Sequence, residues 1–305
     1  MQRRQLFSRA LGVLALNGAV PASALAATTP AIRGSLEVEA LQMPAWVVQD
    51  GQRVPLAPGD SVAAAQLVVT AAAAGLALRL PEGSLLRLGE KTRLGIQRLE
   101  VSPVEGRLAV RSELRLFDGF FRFSTSDVAQ AIGQREIQVH LRTATVAIRG
   151  ADVWSMTDAM HDATCLLEGR VDLVTRDQGA LTLDQPTAFW ARFFDQPARP
   201  VGHATPDELA RFLHATELQP GRGVAVVDGR WRVVAAAVPV KARARALAAR
   251  LQAEGYPAVV RTRPGLGRIT HEVRIRQLAS QDDAAAVLKK ISGIDGVQGR
   301  VVLAA

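Results

Sequence analysis

Three short stretches near the C-terminus place arginine at alternate positions: Trp231-Arg232-Val233-Val234, Arg261-Thr262-Arg263 and Glu272-Val273-Arg274-Ile275-Arg276. Successive side chains of a β-strand point to opposite faces. With Val273 and Ile275 turned to a core, Glu272, Arg274 and Arg276 face solvent. The same alternation puts Arg232 and Val234 on that face, opposite Trp231 and Val233. Arg261 and Arg263 join them, opposite Ala258, Val260 and Thr262. A guanidinium group presents a planar fork of donors that matches a carboxylate. Arg232, Val234, Arg261, Arg263, Arg274 and Arg276 are therefore the candidate binding residues of this face, its arginines being suited to carboxylates. The competing description is an ordinary solvated face of charged side chains.

The residues that could carry catalysis or a metal are sparse. His161, Asp162 and Cys165 are the nearest cluster of imidazole, carboxylate and thiol, a donor set that could hold a metal. Cys165 opens the apolar run Cys165-Leu166-Leu167, however, and a small buried hydrophobe is the commoner fate of such a cysteine. Paired Asp282-Asp283 falls in the first turn of a predicted helix, where the dipole accounts for acidic residues. Asp50 and Asp118 belong to turns. The sequence has no nucleophile elbow, phosphate loop or zinc-protease helix motif. The expectation is a protein without catalytic residues, metal or cofactor.

These residues must be positioned by at least two different kinds of structure. Met1 to Ala26 reads as a secretory signal peptide: Arg3, Arg4 and Arg9 form a basic head, Ala10 to Val20 a short apolar stretch, and Ala24-Leu25-Ala26 a small-x-small cleavage site. The apolar stretch is shorter than the ~20 residues a bilayer requires. Arg3-Arg4-Gln5-Leu6-Phe7 leaves both the general secretory and the twin-arginine route open. No later segment reads as transmembrane, so a periplasmic location follows. The net charge of +8 divides into +3 for residues 1–26, −4 for 27–229 and +9 for 230–305. An acidic part joined to a strongly basic one argues for separate domains.

Residues 27–195 show short apolar runs broken by turn residues, among them Asp50-Gly51, Pro58-Gly59-Asp60 and Pro81-Glu82-Gly83. Asp118-Gly119 sits between Leu114-Arg115-Leu116-Phe117 and Phe120-Phe121-Arg122-Phe123, which predicts a tight hairpin. Ala71 to Ala74 is read as β. The expectation is an all-β domain, a sandwich or a solenoid-like roll. Residues 196–229 form a linker with one short helix, begun by the capping box Thr205-Pro206-Asp207-Glu208. Residues 230–305 alternate differently: strand, amphipathic helix Lys241 to Glu254, strand, strand, helix Gln281 to Ile291 behind Ser280, strand. That β-α-β-β-α-β order predicts a four-stranded antiparallel sheet with both helices on one face. The whole is α+β.

Trp231 to Val302 resembles a sporulation-related repeat (SPOR) domain. The carrying residues are Trp231-Arg232-Val233-Val234-Ala235-Ala236-Ala237-Val238, His271-Glu272-Val273-Arg274-Ile275-Arg276-Gln277-Leu278-Ala279-Ser280, and Ala248 to Ala258 between them. Val234 stands where the family has Gln, and Ala236 and Arg276 stand where it has Gly. The resemblance implies binding of peptidoglycan glycan strands stripped of their stem peptides, with placement at the division septum. Such strands expose the lactyl carboxylates that the peptides had occupied.

The acidic part resembles a FecR-type domain. Its matching pieces include Leu78-Arg79-Leu80-Pro81-Glu82-Gly83-Ser84, Leu88-Gly89-Glu90-Lys91-Thr92, Thr143 to Asp152, and Glu168-Gly169-Arg170-Val171. Sigma-regulating members of that family carry a cytoplasmic domain before a membrane helix. A chain opening on a leader keeps a periplasmic module, and the resemblance implies that this module binds a protein, here unidentified. The reading is thus a non-enzymatic periplasmic protein whose SPOR-like domain binds glycan and localises a FecR-like interaction domain to the wall. Its alternative is an envelope signalling or regulatory FecR-like protein whose SPOR-like fold no longer binds glycan. A nucleic-acid partner is set aside because base stacking on such a sheet needs exposed aromatics at its centre, and these strands offer none.

Overall fold

The computed structural model describes residues 32–104, 107–127, 129, 134–265 and 268–304; the predicted signal peptide lies outside them. The first strands are short: β1 (Ile32–Arg33), β2 (Ser35–Gln42), β3 (Ala45–Gln49), β4 (Gln52–Pro55), β5 (Ser61–Ala63), β6 (Leu67–Thr70), β7 (Gly75–Arg79) and β8 (Leu85–Leu88). Longer ones follow: β9 (Arg93–Val104), β10 (Arg107–Ser124), β11 (Arg135–His140), β12 (Ala144–Thr157) and β13 (His161–Thr175). After β14 (Gly179–Leu183), β15 (Ala188–Phe193) and β16 (Gly202–His203) comes helix α1 (Pro206–Thr216), then β17 (Val224–Val226). The C-terminal part is β18 (Trp231–Val238), α2 (Lys241–Ala253), β19 (Val259–Gly265), β20 (Arg268–Leu278), α3 (Gln281–Ile291) and β21 (Arg300–Leu303). The described residues are thus mostly β-sheet with three helices.

The long strands show how sequence alternation and backbone irregularity combine. In β10 the buried residues are Val110, Ser112, Leu114 and Leu116, then Phe121 and Phe123. The buried set moves from even to odd positions. A one-residue slip sends every later side chain to the other face, and the β9–β10 ladder shifts register between Leu116 and Asp118. Asp118-Gly119 therefore forms a bulge inside one continuous strand, not the expected hairpin. Gly119 has φ +97° and packs directly on Thr92, where no Cβ would fit. The Phe120 N–H donates to Thr92 Oγ1 at 3.0 Å and fixes the kink. The turn-forming pair supplies the same positive φ in a different setting. Ala71 to Ala74 also departs from the strand reading, for it is a turn with Ala73 at φ +52°.

The pairing of β12 with β13 repeats the device. Its register shifts between Ile148 and Gly150 and again between Asp152 and Val153. Gly169 (φ +85°) lies against the Gly150 carbonyl, leaving no room for a side chain. Arg122 on β10 then reaches Asp152 on β12, donating through Nε at 2.8 Å and Nη2 at 2.6 Å. Trp154, Trp190, Phe121 and Phe123 are fully buried.

The segment between the acidic and basic parts is built into the structure. Thr205 Oγ1 accepts from the Glu208 N–H while the Glu208 carboxylate accepts from the Thr205 N–H, which closes the capping box of α1. Phe212 of that helix stacks on Trp154 with ring centroids 4.0 Å apart. β17 pairs antiparallel with β2 and also with β20. Asp283, in the first turn of α3, accepts from the backbone N–H groups of Gly221, Gly223 and Val224 at 2.8, 3.0 and 2.9 Å. Lys290 Nζ donates to the Met43 and Arg222 carbonyls at 3.0 and 2.9 Å. These ties make Ala31–Ala305 one compact unit.

Candidate functional site

Strands β18 to β21 pair antiparallel in the order β21, β18, β20, β19. Val233 opposes Ile275, Val260 opposes Val273, and these residues share the core with Ala244, Leu247 and Leu251 of α2 and Ala284, Val287 and Ile291 of α3. Both helices therefore cover this one face. Residues directly opposite one another across a ladder point the same way. The pairs Val234–Arg274, Arg232–Val302, Val234–Arg300 and Arg261–Glu272 place Arg232, Val234, Arg261, Glu272, Arg274 and Arg300 on the face away from the helices. Arg263 opposes Thr270 there.

The exposure of these residues differs from the alternation argument. Arg232 is half-buried, and Arg261, Arg263 and Arg300 are exposed. Glu272, Arg274 and Val234, expected to face solvent, are buried at 4, 9 and 2 % exposure. The physical reason is crowding. Arg263 and Arg300, from the strands on either side, both reach Glu272, and long arginine side chains can cover shorter neighbours. Glu272 draws Arg274 in, with Nε donating to Glu272 Oε2 at 2.7 Å and Nη2 donating to the same oxygen. Arg276 is exposed, but it lines a separate cleft of about 570 Å³ with Arg53, Asp60, Gln252 and Pro257. The left-handed Gln277 (φ +62°) follows Arg276 where the β18–β20 ladder shifts register, between the Val233–Ile275 and Trp231–Leu278 pairs. Among the described residues Arg276 forms no ion pair.

Two participants are absent from the candidate binding set. Glu272 is the hub of the face: besides Arg274, its Oε1 lies 3.7 Å from Arg263 Nη1 and 3.5 Å from Arg300 Nη2. Arg300 belongs to the last strand, and only its register with β18 brings it over Glu272. The charge balance is uneven, since Arg232, Arg261, Arg263, Arg274 and Arg300 share this face with Glu272. Arg232 Nε is shielded from water and has no hydrogen-bond partner among the described residues. Burial, followed by the charges of Arg274 and Arg263, holds the Arg232 guanidinium below its ordinary pKa. A half-buried, unpartnered donor beside like charges is a place where an anion is stabilised.

The His161–Asp162–Cys165 cluster is dispersed. Asp162 accepts from Thr157 Oγ1 at 2.5 Å and from the Thr143 N–H at 2.6 Å, while His161 turns to Asp158 and stacks on Phe193. Cys165 is buried beside Trp154 and Ala163, and burial pushes its thiol up to about 12. Among the described residues no group of His, Cys, Asp and Glu could hold a metal ion. No helix among them is long and apolar enough to cross a membrane.

Comparison with known proteins finds two families along the chain. Residues 66–172 match the FecR protein family, and residues 227–302 match the SPOR domain. No curated protein matches the chain at a significant level. Two crystal structures are similar, both described as a "putative anti-sigma factor" from Parabacteroides distasonis ATCC 8503. One, at 2.50 Å resolution, has 12 % identity and a TM-score of 0.38 over 67 % of this chain and 96 % of its own. The other, at 1.65 Å resolution, has 14 % identity with the same TM-score and coverage. The chain therefore carries a FecR segment followed by a SPOR domain.

Proposed function

We propose that the protein is a non-enzymatic binding protein of the periplasm, delivered by a cleaved leader. Its SPOR domain holds peptidoglycan glycan strands, and its FecR segment engages a protein partner at the wall, at sites such as the division septum. The observation that carries the reading is the helix-free sheet face, where Arg232, Arg261, Arg263 and Arg300 surround a carboxylate already held by Arg274. A glycan strand freed of stem peptides carries a lactyl carboxylate on alternate sugars, and exposed guanidinium groups are suited to it. Stripping raises the density of these carboxylates on the sugar chain and removes steric bulk together.

Co-sedimentation of the full chain with purified sacculi tests this. Tighter binding after amidase treatment is expected, with weakening as salt rises, because charges on an exposed face are screened over roughly 8 Å at physiological ionic strength. Equal binding to stripped and unstripped sacculi would exclude peptide-free glycan as the preferred ligand. Val234 and Ala236 would then mark a SPOR fold with a changed ligand.

A further inference from the structure

The two oxygens of Glu272 are held very differently. Oε2 takes both donors from Arg274, and the pair is buried, with 6 and 10 % of the respective side chains exposed. Among the described residues Oε1 meets only Arg263 and Arg300, at 3.7 and 3.5 Å, and those side chains are 59 and 60 % exposed. They reach Glu272 from opposite edges of the sheet, since β19 pairs with β20 and β21 with β18. One side of the carboxylate is held closely, and the other is approached at longer distance by exposed guanidinium groups.

We propose that Glu272 is an internal competitor for the ligand carboxylate, and so sets the affinity and selectivity of the glycan-binding face. In the free protein Arg263 and Arg300 lean on Glu272 Oε1. A ligand carboxylate binds by drawing them away, with the orphaned Arg232 Nε as a further donor. Arg274 stays with Glu272 and acts as a positioning residue. The alternative is that Glu272 helps binding by pre-arranging its arginines. Contacts of 3.5 and 3.7 Å on side chains this exposed fix little. The fixed negative charge, in contrast, repels every incoming carboxylate. A lactyl group still capped by its peptide carries no charge there for Glu272 to repel, so the competitor acts most strongly on the free carboxylate and narrows the preference for stripped strands. This inference rests on the glycan reading above.

The test compares the full chain with Glu272→Gln and Glu272→Asp on amidase-stripped and untreated sacculi. Gln keeps an acceptor for Arg274 but removes the charge. Asp keeps the charge but withdraws it from Arg263 and Arg300. Glu272→Gln should bind stripped sacculi roughly three- to tenfold more tightly, the scale expected for removing one like charge near a protein surface. Its preference for stripped over untreated material should widen. Glu272→Asp should lie between it and the wild type, and decides the matter if the Gln protein melts before the assay temperature. Arg300→Ala should weaken binding in the wild-type background. If the wild type binds and both Glu272 variants bind equally or less well, the competitor role is overturned and the glycan reading stands. If neither wild type nor variants bind, the glycan reading itself fails and this inference with it. Binding by the Gln variant alone establishes the competitor.

Discussion

The two sheet regions use arginine in opposite ways. In the FecR region arginines find individual carboxylates: Arg122 with Asp152 at 2.6 Å, Arg111 with Glu136 at 2.8 Å, Arg93 with Asp118 at 3.2 Å. In the SPOR region Arg263, Arg274 and Arg300 converge on Glu272, while Arg232 and Arg261 stand beside them. The net charges, −4 over residues 27–229 and +9 over 230–305, have the same sense. Matched pairs spend their hydrogen-bonding capacity inside the protein and hold strands in register. A surplus leaves donors and potential over for something outside. Net charge marks the region of surplus, and the number of arginines per carboxylate on one face locates it.

The comparison breaks most visibly if the surplus is removed. Replacing Arg232, Arg263 and Arg300 together with Ala should cut sacculus binding on the order of 100-fold, since each charge-assisted contact contributes about 1 kcal/mol or more. Its melting temperature should barely move. The matching change in the FecR region, Arg93→Ala with Arg111→Ala, should leave sedimentation with sacculi unaltered. Comparable losses from both sets would erase the distinction between paired and surplus arginine.

Arg122→Ala should have the reverse profile. Its guanidinium and the Asp152 carboxylate are both largely shielded, with 19 and 18 % of the side chains exposed. Leaving Asp152 unpaired should cost about 2 kcal/mol in urea unfolding, with glycan binding unchanged in the folded protein.

Glu82 sharpens the comparison through pH. It is buried at 4 % exposure, and burial raises its carboxyl above the usual range, with Ser84 and Arg135 opposing. The folded protein thus holds the proton more firmly than the unfolded chain. That contribution is complete at acid pH and is lost as pH climbs through the raised native value. Glu82→Gln should therefore stabilise the protein near pH 7, and the gain should vanish below about pH 4. A variant gain that is the same at both pH values would contradict a raised carboxyl. The smallest effect belongs to Cys165→Ala, a loss of about 1 kcal/mol or less, with glycan binding intact. With its thiol pushed up to about 12, Cys165 should resist labelling by thiol reagents until the protein unfolds.

Much of this was legible in the sequence where a local rule has one outcome. Thr205 and Glu208 cap α1, Ser280 caps α3, and Val273 and Ile275 face the helices because such patterns depend on neighbours a few residues away. Asp118-Gly119 was misread because a positive φ suits both a hairpin and a bulge, and Thr92, distant in sequence, decides between them. Alternation gave Arg274 and Val234 the right face but the wrong exposure. Exposure depends on what neighbouring strands lay over them. Arg300 escapes because its face is set by register with β18, and Arg276 is misplaced because the β18–β20 ladder shifts register there, beside the left-handed Gln277.

The central claim is that the glycan sits on the helix-free face of the SPOR sheet and nowhere on the FecR strands. Amide hydrogen exchange of the full chain, with and without soluble glycan released from amidase-stripped sacculi, tests it most directly. Added glycan should slow exchange in Trp231–Val238, Val259–Gly265 and Arg300–Leu303, and leave Ala144–Thr157 and His161–Thr175 as they were. Protection confined to the FecR strands, or unchanged exchange throughout at saturating glycan, would contradict it.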